Sequence, residues 1–246
     1  MTDLRIPKRI NPNKIVDCTV EIRFESPVPP EVVLALVYNQ VHATWGAGQN
    51  TPFSDVPKQV RDLQPEIRFQ PLRKWVKGDM ALVAGTNMIG IGLSKFETGT
   101  AFISAVEQVL APWPLESILG RVTRLGLRFI NFFENMNIFE KSTLKVSLRD
   151  EPLGSNPTFI RTELHKGPFV CGIQVLNSGN VEQGGKKRSG SVIDLDVATR
   201  PTTAVPPQVG AIATHLHDMH EIADETFFKL LTDEYTQTLN PEYERK

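Results

Sequence analysis

Between residues 19 and 25 the chain alternates: Val20, Ile22 and Phe24 fall on one side, Glu21, Arg23 and Glu25 on the other. That period of two predicts a strand with one buried and one wetted face. Residues 26–30 break the pattern, and from 31 to 45 the period changes. Val33, Leu36, Val37, Val41 and Trp45 recur every three or four positions, with Pro29-Pro30 suited to a first turn, which predicts an amphipathic helix. Residues 46–64 are polar and rich in Pro and Gly, a long loop with a short helix at 57–63. Strands are expected at 66–72, 79–84 and 88–94, the last two paired antiparallel across Gly85-Thr86-Asn87. Phe102, Ile103, Val106, Val109 and Leu110 then form a helix stripe that ends at Pro112-Trp113-Pro114.

The second half begins on RLGLRFIN, residues 124–131, which repeats the chemistry of VEIRFE at 20–25. A strand at 124–133 is followed by a helical turn at 136–142 capped by Asn135, by strands at 144–149, 159–165, 169–176 and 191–198, and by a long helix at 206–238. In that helix Val209, Ile212, Leu216, Met219, Ala223, Phe227 and Leu230 step by three or four residues. Both halves therefore read β-α-β-β-β-α, the second with a degenerate first helix, and an internal duplication is expected. The predicted class is α+β: a curved antiparallel sheet with helices on one face, as in helix-grip and TATA-binding-protein-like architectures. The halves, 1–115 and 116–246, are expected to form one unit. Such an analogy carries no function.

At 246 residues and 40% hydrophobic content the chain is long enough for a packed core. Its 27 Lys and Arg against 28 Asp and Glu leave a net charge of -1, which excludes bulk attraction to phosphate backbones or anionic membranes. Cys18 and Cys171 stand alone, without metal-ligand spacing, and are expected as buried thiols in a reducing compartment. No run has the length of a membrane span and the N-terminus lacks a signal-peptide core, so a cytoplasmic setting is expected.

Three segments share one tripeptide logic: Ile22-Arg23-Phe24, Ile67-Arg68-Phe69 and Leu127-Arg128-Phe129, each with its Arg opposite two apolar neighbours. Asp194 and Asp196 sit opposite Ile193, Leu195 and Val197 in the same way. On one sheet, Arg23, Arg124 and Arg128 would share an open face with Glu21, Glu25, Asp194 and Asp196. Two readings stand side by side: a cross-strand ion-pair ladder, or a ligand or partner surface in which guanidinium groups hold a carboxylate or phosphate.

His217, His220, Glu221 and Asp224 are separated by helical steps and are weak metal candidates, since HExxH is absent. His215 is expected at the core edge. The segment 178–190, SGNVEQGGKKRSG, reads as a mobile hairpin tip whose Lys186, Lys187 and Arg188 offer a phosphate or nucleic-acid contact, although it is neither a Walker A loop nor a GxGxxG turn. For nucleophilic chemistry there is no GxSxG and no His beside either Cys; His165 with Glu163 is the sole base-and-orienter spacing of note.

The chain resembles a sporadically distributed family of uncharacterised bacterial proteins of about this length. The resemblance rests on the strand from Glu21 to Phe24, the block from Arg124 to Asn131, Asp194-Leu195-Asp196, and a closing helix with His217, Phe227-Phe228 and the run from Leu231 to Asp233. It spans most of the chain and carries over no catalytic residues. The family's scattered distribution implies a phage-defence or toxin-antitoxin accessory role.

The leading expectation is a non-enzymatic binding or assembly protein, homodimeric and without cofactor, that uses the charged sheet face or the last helix. The alternative is a nucleic-acid-binding or RNA-processing component using the basic loop. A third, an enzyme with a pocket between the halves, stays open because pockets assemble from distant residues.

Overall fold

The structure, a computed structural model, describes residues 6–183 and 185–243, with all side chains in them except those of Glu66, Gln183 and Lys186. In chain order the elements are β1 (Ile15–Glu25), α1 (Pro30–Trp45), β2 (Gln49–Asn50), a 3-10 turn at Pro52–Asp55, α2 (Lys58–Leu63), α3 (Pro65–Arg68), β3 (Arg73–Lys77), β4 (Met80–Ala84) and β5 (Met88–Leu93). Then come α4 (Gly99–Leu110), α5 (Leu115–Leu119), β6 (Arg121–Glu134), a 3-10 turn at Ile138–Glu140, β7 (Ser147–Leu148), β8 (Glu151–Pro152), β9 (Phe159–Lys166), β10 (Phe169–Gln183), β11 (Lys186–Thr199), α6 (Val209–Leu230) and α7 (Asp233–Thr238).

Nine strands make one antiparallel sheet in the order β2-β3-β4-β5-β1-β6-β11-β10-β9. Reading outward from the central β1–β6 pair, each half lays down its three meander strands in the same order, last strand innermost. The alternation seen in the sequence decides which face is dry. Val20, Ile22 and Phe24, Leu125, Leu127 and Phe129, and Ile193, Leu195 and Val197 are buried together. Against them pack Val33, Val37 and Val41 of α1, Phe102, Ile103 and Val106 of α4, and Ile212, Leu216 and Met219 of α6. These three helices thus lie on one face, and a single core runs through both halves.

Several expected elements differ. Residues 66–72 are not a strand: Pro65 opens α3, so Ile67-Arg68-Phe69 has no place in the sheet. The strand is β3, where Trp75 alone is buried among Arg73, Lys74, Val76 and Lys77; one apolar residue gives no alternation to detect. The segment 144–149 supplies only β7, which pairs with β8 in a separate two-stranded ribbon. The turn after β6 is capped by Asn137, whose side chain accepts from the Phe139 N–H, while Asn135 takes a left-handed φ of 52°. The last helix breaks at Leu231, which is extended and buried, and Thr232 caps α7 by accepting from the Tyr235 N–H.

The glycine-rich stretch 178–190 is the hairpin end expected, but it is paired strand almost throughout rather than a mobile tip. β10 and β11 stay paired from Phe169↔Thr199 out to Gln183↔Lys186, with an irregularity between Leu176 and Gly179. Gly190 is required where β11 crosses β6: a Cβ there would stand 2.2 Å from the Phe133 carbonyl oxygen. Glycine here permits close strand approach, not flexibility.

Both cysteines sit in strands with no exposed surface. Burial, with the Asp17 charge adding, pushes the Cys18 thiol up to about 12, and burial likewise raises Cys171. A thiolate is the reactive form, so both should be inert. The expected outcome is that a thiol reagent at neutral pH labels neither cysteine in the folded protein and both in denaturant. Fast native labelling of Cys18 would contradict its position.

Candidate functional site

The face of the sheet away from the helices carries the charged positions. Arg128 on β6 donates through Nε and Nη2 to the two carboxylate oxygens of Asp194 on β11, at 2.8 and 2.5 Å. Gln174 on β10 adds a third donor to Asp194 at 3.3 Å. Arg124 Nη2 lies 2.8 and 2.7 Å from the oxygens of Asp196, and its Nη1 donates to Glu21 on β1 at 2.6 Å. Glu21 also pairs with Arg23 at 2.7 Å. The sheet therefore brings all five residues singled out on this face together, Arg124 bonded to Asp196 and Arg128 to Asp194, while Arg23 joins only through its ion pair with Glu21.

Gly126 makes that arrangement possible. It is the outward residue between the two arginines, and a Cβ on it would stand 2.3 Å from Arg124 Nη1. Arg124 folds back across this bare backbone to reach carboxylates on both neighbouring strands. Register alone sets Arg23 opposite Arg124, an unfavourable like-charge pair; Glu21 relieves it by contacting both. A guanidinium already held by a carboxylate on two bonds has little left for a ligand, so the ladder reading fits this geometry. Its outermost member, Arg23, also lies 4.5 Å from the Phe69 ring.

The His-rich run on α6 divides. His217 is exposed, whereas His220 turns inward, with its ring edge-on to Phe129 at 5.8 Å and Nε2 3.5 Å from Asp224 Oδ2. Gly99, the first residue of α4, leaves the space for it, since a Cβ there would meet His220 Nε2 at 1.8 Å. The cleft around this pair, bounded by residues 7–10, Thr98 and Asn131, has a volume of about 60 Å³, room for a few waters. No three His, Cys, Asp or Glu side chains among the described residues are placed to hold a metal. Loss of hydration lowers His220 to about 4, with His217 adding. The same cause raises Asp224 to about 7, with Glu221 adding. Near pH 5 both groups are therefore neutral, and the pair holds one proton on the carboxyl.

The basic cluster is split by its strand. Lys187 and Arg188 are successive residues of β11 and so point to opposite faces, and the Lys186 side chain lies outside the described ones. Arg188 is 3.4 Å from Glu134 and lies over the Phe132 ring, while Lys187 stands opposite Glu182 in the register. His215 is half-buried against Phe169, as expected. His165 and Glu163 are exposed on the outward face of β9, beside a trough of about 530 Å³ floored by Gly172 and Ala198. Among the described residues no helix is long and apolar enough to cross a membrane.

One feature carried no sequence signal. Among the described residues β9 pairs only with β10, residue for residue from Phe159↔Leu176 to Lys166↔Phe169 without a bulge, and no strand lies on its other edge. Helix α6 packs over β6, β11 and β10 and reaches β9 through the Lys166–Glu225 ion pair at 3.3 Å. Phe159 and Leu164 consequently remain 58% and 42% exposed on opposite faces of the strand.

Two outcomes test this site. Arg128→Ala leaves Asp194, 8% exposed, with Gln174 as its one remaining side-chain donor among the described residues, and should cost about 1–3 kcal/mol in denaturant unfolding. Arg121→Ala, which breaks an exposed pair with Glu25, should change stability by less than about 0.5 kcal/mol. Equal losses would remove the distinction between ladder and rim. The His220–Asp224 pair contributes two opposed pH slopes. From about pH 4 to 6.5 the unfolded imidazole binds a proton that folded His220 refuses, so that group makes stability rise with pH. From 3.8 to about 7 folded Asp224 keeps a proton that the unfolded carboxyl has lost, so that group makes stability fall. Asp224→Asn should steepen the rise between pH 4 and 6.5, and His220→Gln should convert it toward a fall; identical profiles in both variants would refute the pairing.

The chain matches no family model, no curated protein and no solved structure.

Proposed function

We propose that the chain is a non-enzymatic assembly protein that joins a polypeptide partner to the free edge of its sheet. The observation that carries this is β9. An open edge is a row of unpaired N–H and C=O groups, and proteins commonly blunt such rows with short strands, prolines, bulges or inward-facing charge. β9 runs for eight residues, contains no proline, pairs without a bulge, and faces the helix side with Ile160, Thr162 and Leu164. Its geometry suits strand addition, in which main-chain bonds supply affinity and alternate side chains supply selectivity. The other chemistry supports the same reading: the arginines are committed to carboxylates, the thiols are buried, and the His220–Asp224 cleft is small. A defence-associated or toxin-antitoxin setting, which the family resemblance implies, suits a protein of this kind.

Amide exchange of residues 159–166, read by mass spectrometry, tests the reading. The expected outcome is slower exchange when the protein is concentrated or when extract of its source cells is added. Equal exchange in dilute protein, concentrated protein and extract would reject the edge as an assembly surface.

A further inference from the structure

We infer that the partner at this edge is a second copy of the chain, with β9 pairing antiparallel to its own mate about a two-fold axis through Thr162. This rests on the assembly reading and adds the partner and the register to it.

The register follows from backbone phase and charge. Opposed residues in an antiparallel pair must turn their N–H and C=O groups the same way, and neighbours along a strand turn them oppositely. A two-fold axis must therefore pass through a residue and cannot fall between two. Near the middle of β9 the choices are Arg161, Thr162, Glu163 and Leu164. An axis at Arg161 or Glu163 sets that charged residue against its own copy. An axis at Leu164 moves Arg161 opposite Gly167 of the turn and shortens the overlap. An axis at Thr162 sets Arg161 opposite Glu163 on both sides of the dyad, Ile160 opposite Leu164 twice, and Phe159 opposite His165 twice. Every charged or apolar residue from 159 to 165 then meets a favourable neighbour, and Thr162 meets Thr162.

This self-complementarity is what an isologous contact demands, because the same patch serves both subunits. It draws on groups the monomer leaves unused. Arg161 and Glu163 are exposed and make no ion pair among the described residues, and Leu164 is uncovered where α6 stops short. The pairing joins two nine-stranded sheets into one continuous sheet, with the helices of both copies on the same side and the troughs beside β9 meeting across the dyad.

A charge swap reads the register directly. The dimer dissociation constant, from sedimentation equilibrium, is compared for the full chain, Arg161→Glu, Glu163→Arg and the double variant. Each single change creates two like-charge pairs and should weaken the dimer by about tenfold or more, whereas the double change restores complementarity and should return it to within about threefold. Both positions are exposed, so the melting temperature of dilute monomer should barely move, which separates the effect from misfolding. Thr162→Cys should form a disulfide-linked dimer on mild oxidation and Glu163→Cys should not, since only residue 162 faces itself; buried Cys18 and Cys171 stay out of the reaction. A dimer indifferent to charge reversal, or one cross-linked through Glu163→Cys, would overturn the inference. A chain that stays monomeric while extract protects the amides of residues 159–166 would overturn self-pairing and leave the assembly reading standing. A monomer with no such protection would end both.

Discussion

The antiparallel contact between β1 and β6 is where the two halves of the chain meet, and both faces of the sheet are organised from it. On the covered face it sets Cys18, Val20 and Ile22 opposite Phe129, Leu127 and Leu125, all buried, so the core of one half continues into the other. On the open face the same register sets Arg23 opposite Arg124 and Glu21 opposite Gly126. A slip of one residue would turn one of the two strands inside out against the other, placing arginine among the helices and leucine in water, so the pattern admits one register. The carboxylates of β1 and β11 then have fixed work: they neutralise guanidinium groups that the central register brings too close together.

That division between faces explains how much of the molecule was readable. Val20-Ile22-Phe24 and Leu125-Leu127-Phe129 announce their strands because one face is dry and the other wet, and the helix stripes of α1, α4 and α6 are legible for the same reason. β3 was missed because its inward face is filled by one large residue, Trp75, which replaces an alternating series with a single apolar position. The strands of the β10–β11 hairpin were expected to stop at 176 and start at 191 because Gly179 and Gly190 serve close strand contact, and glycine chosen for proximity looks like glycine chosen for flexibility. The ladder residues could be placed on one face by parity, but their pairings are diagonal. Which carboxylate meets Arg124 depends on Gly126 being empty and on β11 lying beside β6. His217 and His220 illustrate a limit of helical spacing: a three-residue step keeps both on a broad stripe, yet the core boundary falls between them.

Edge status is the property least available to sequence. β9 would read the same with a second neighbour as without one, since period and composition describe a strand's faces and say nothing of its flanks. Only the strand order reveals that Arg161 and Glu163 stand next to an open ladder.

The matching outward order of the two halves makes the two flanks comparable, and they are treated differently. β3 holds the position in the first half that β9 holds in the second, and its free side is partly taken by β2. What stays open on β3 is residues 75–77, whose one charge is Lys77 and which hold no carboxylate to answer it in an identical strand. β9 carries Arg161 and Glu163, both signs on one face, with hydrocarbon on the other. Charge of one sign along an edge offers an identical strand no ion pair in any register. Mixed charge resists it in most registers and favours it in one. A single strand thus combines protection against indiscriminate stacking with a defined mate, which is what distinguishes an interface from an aggregation site.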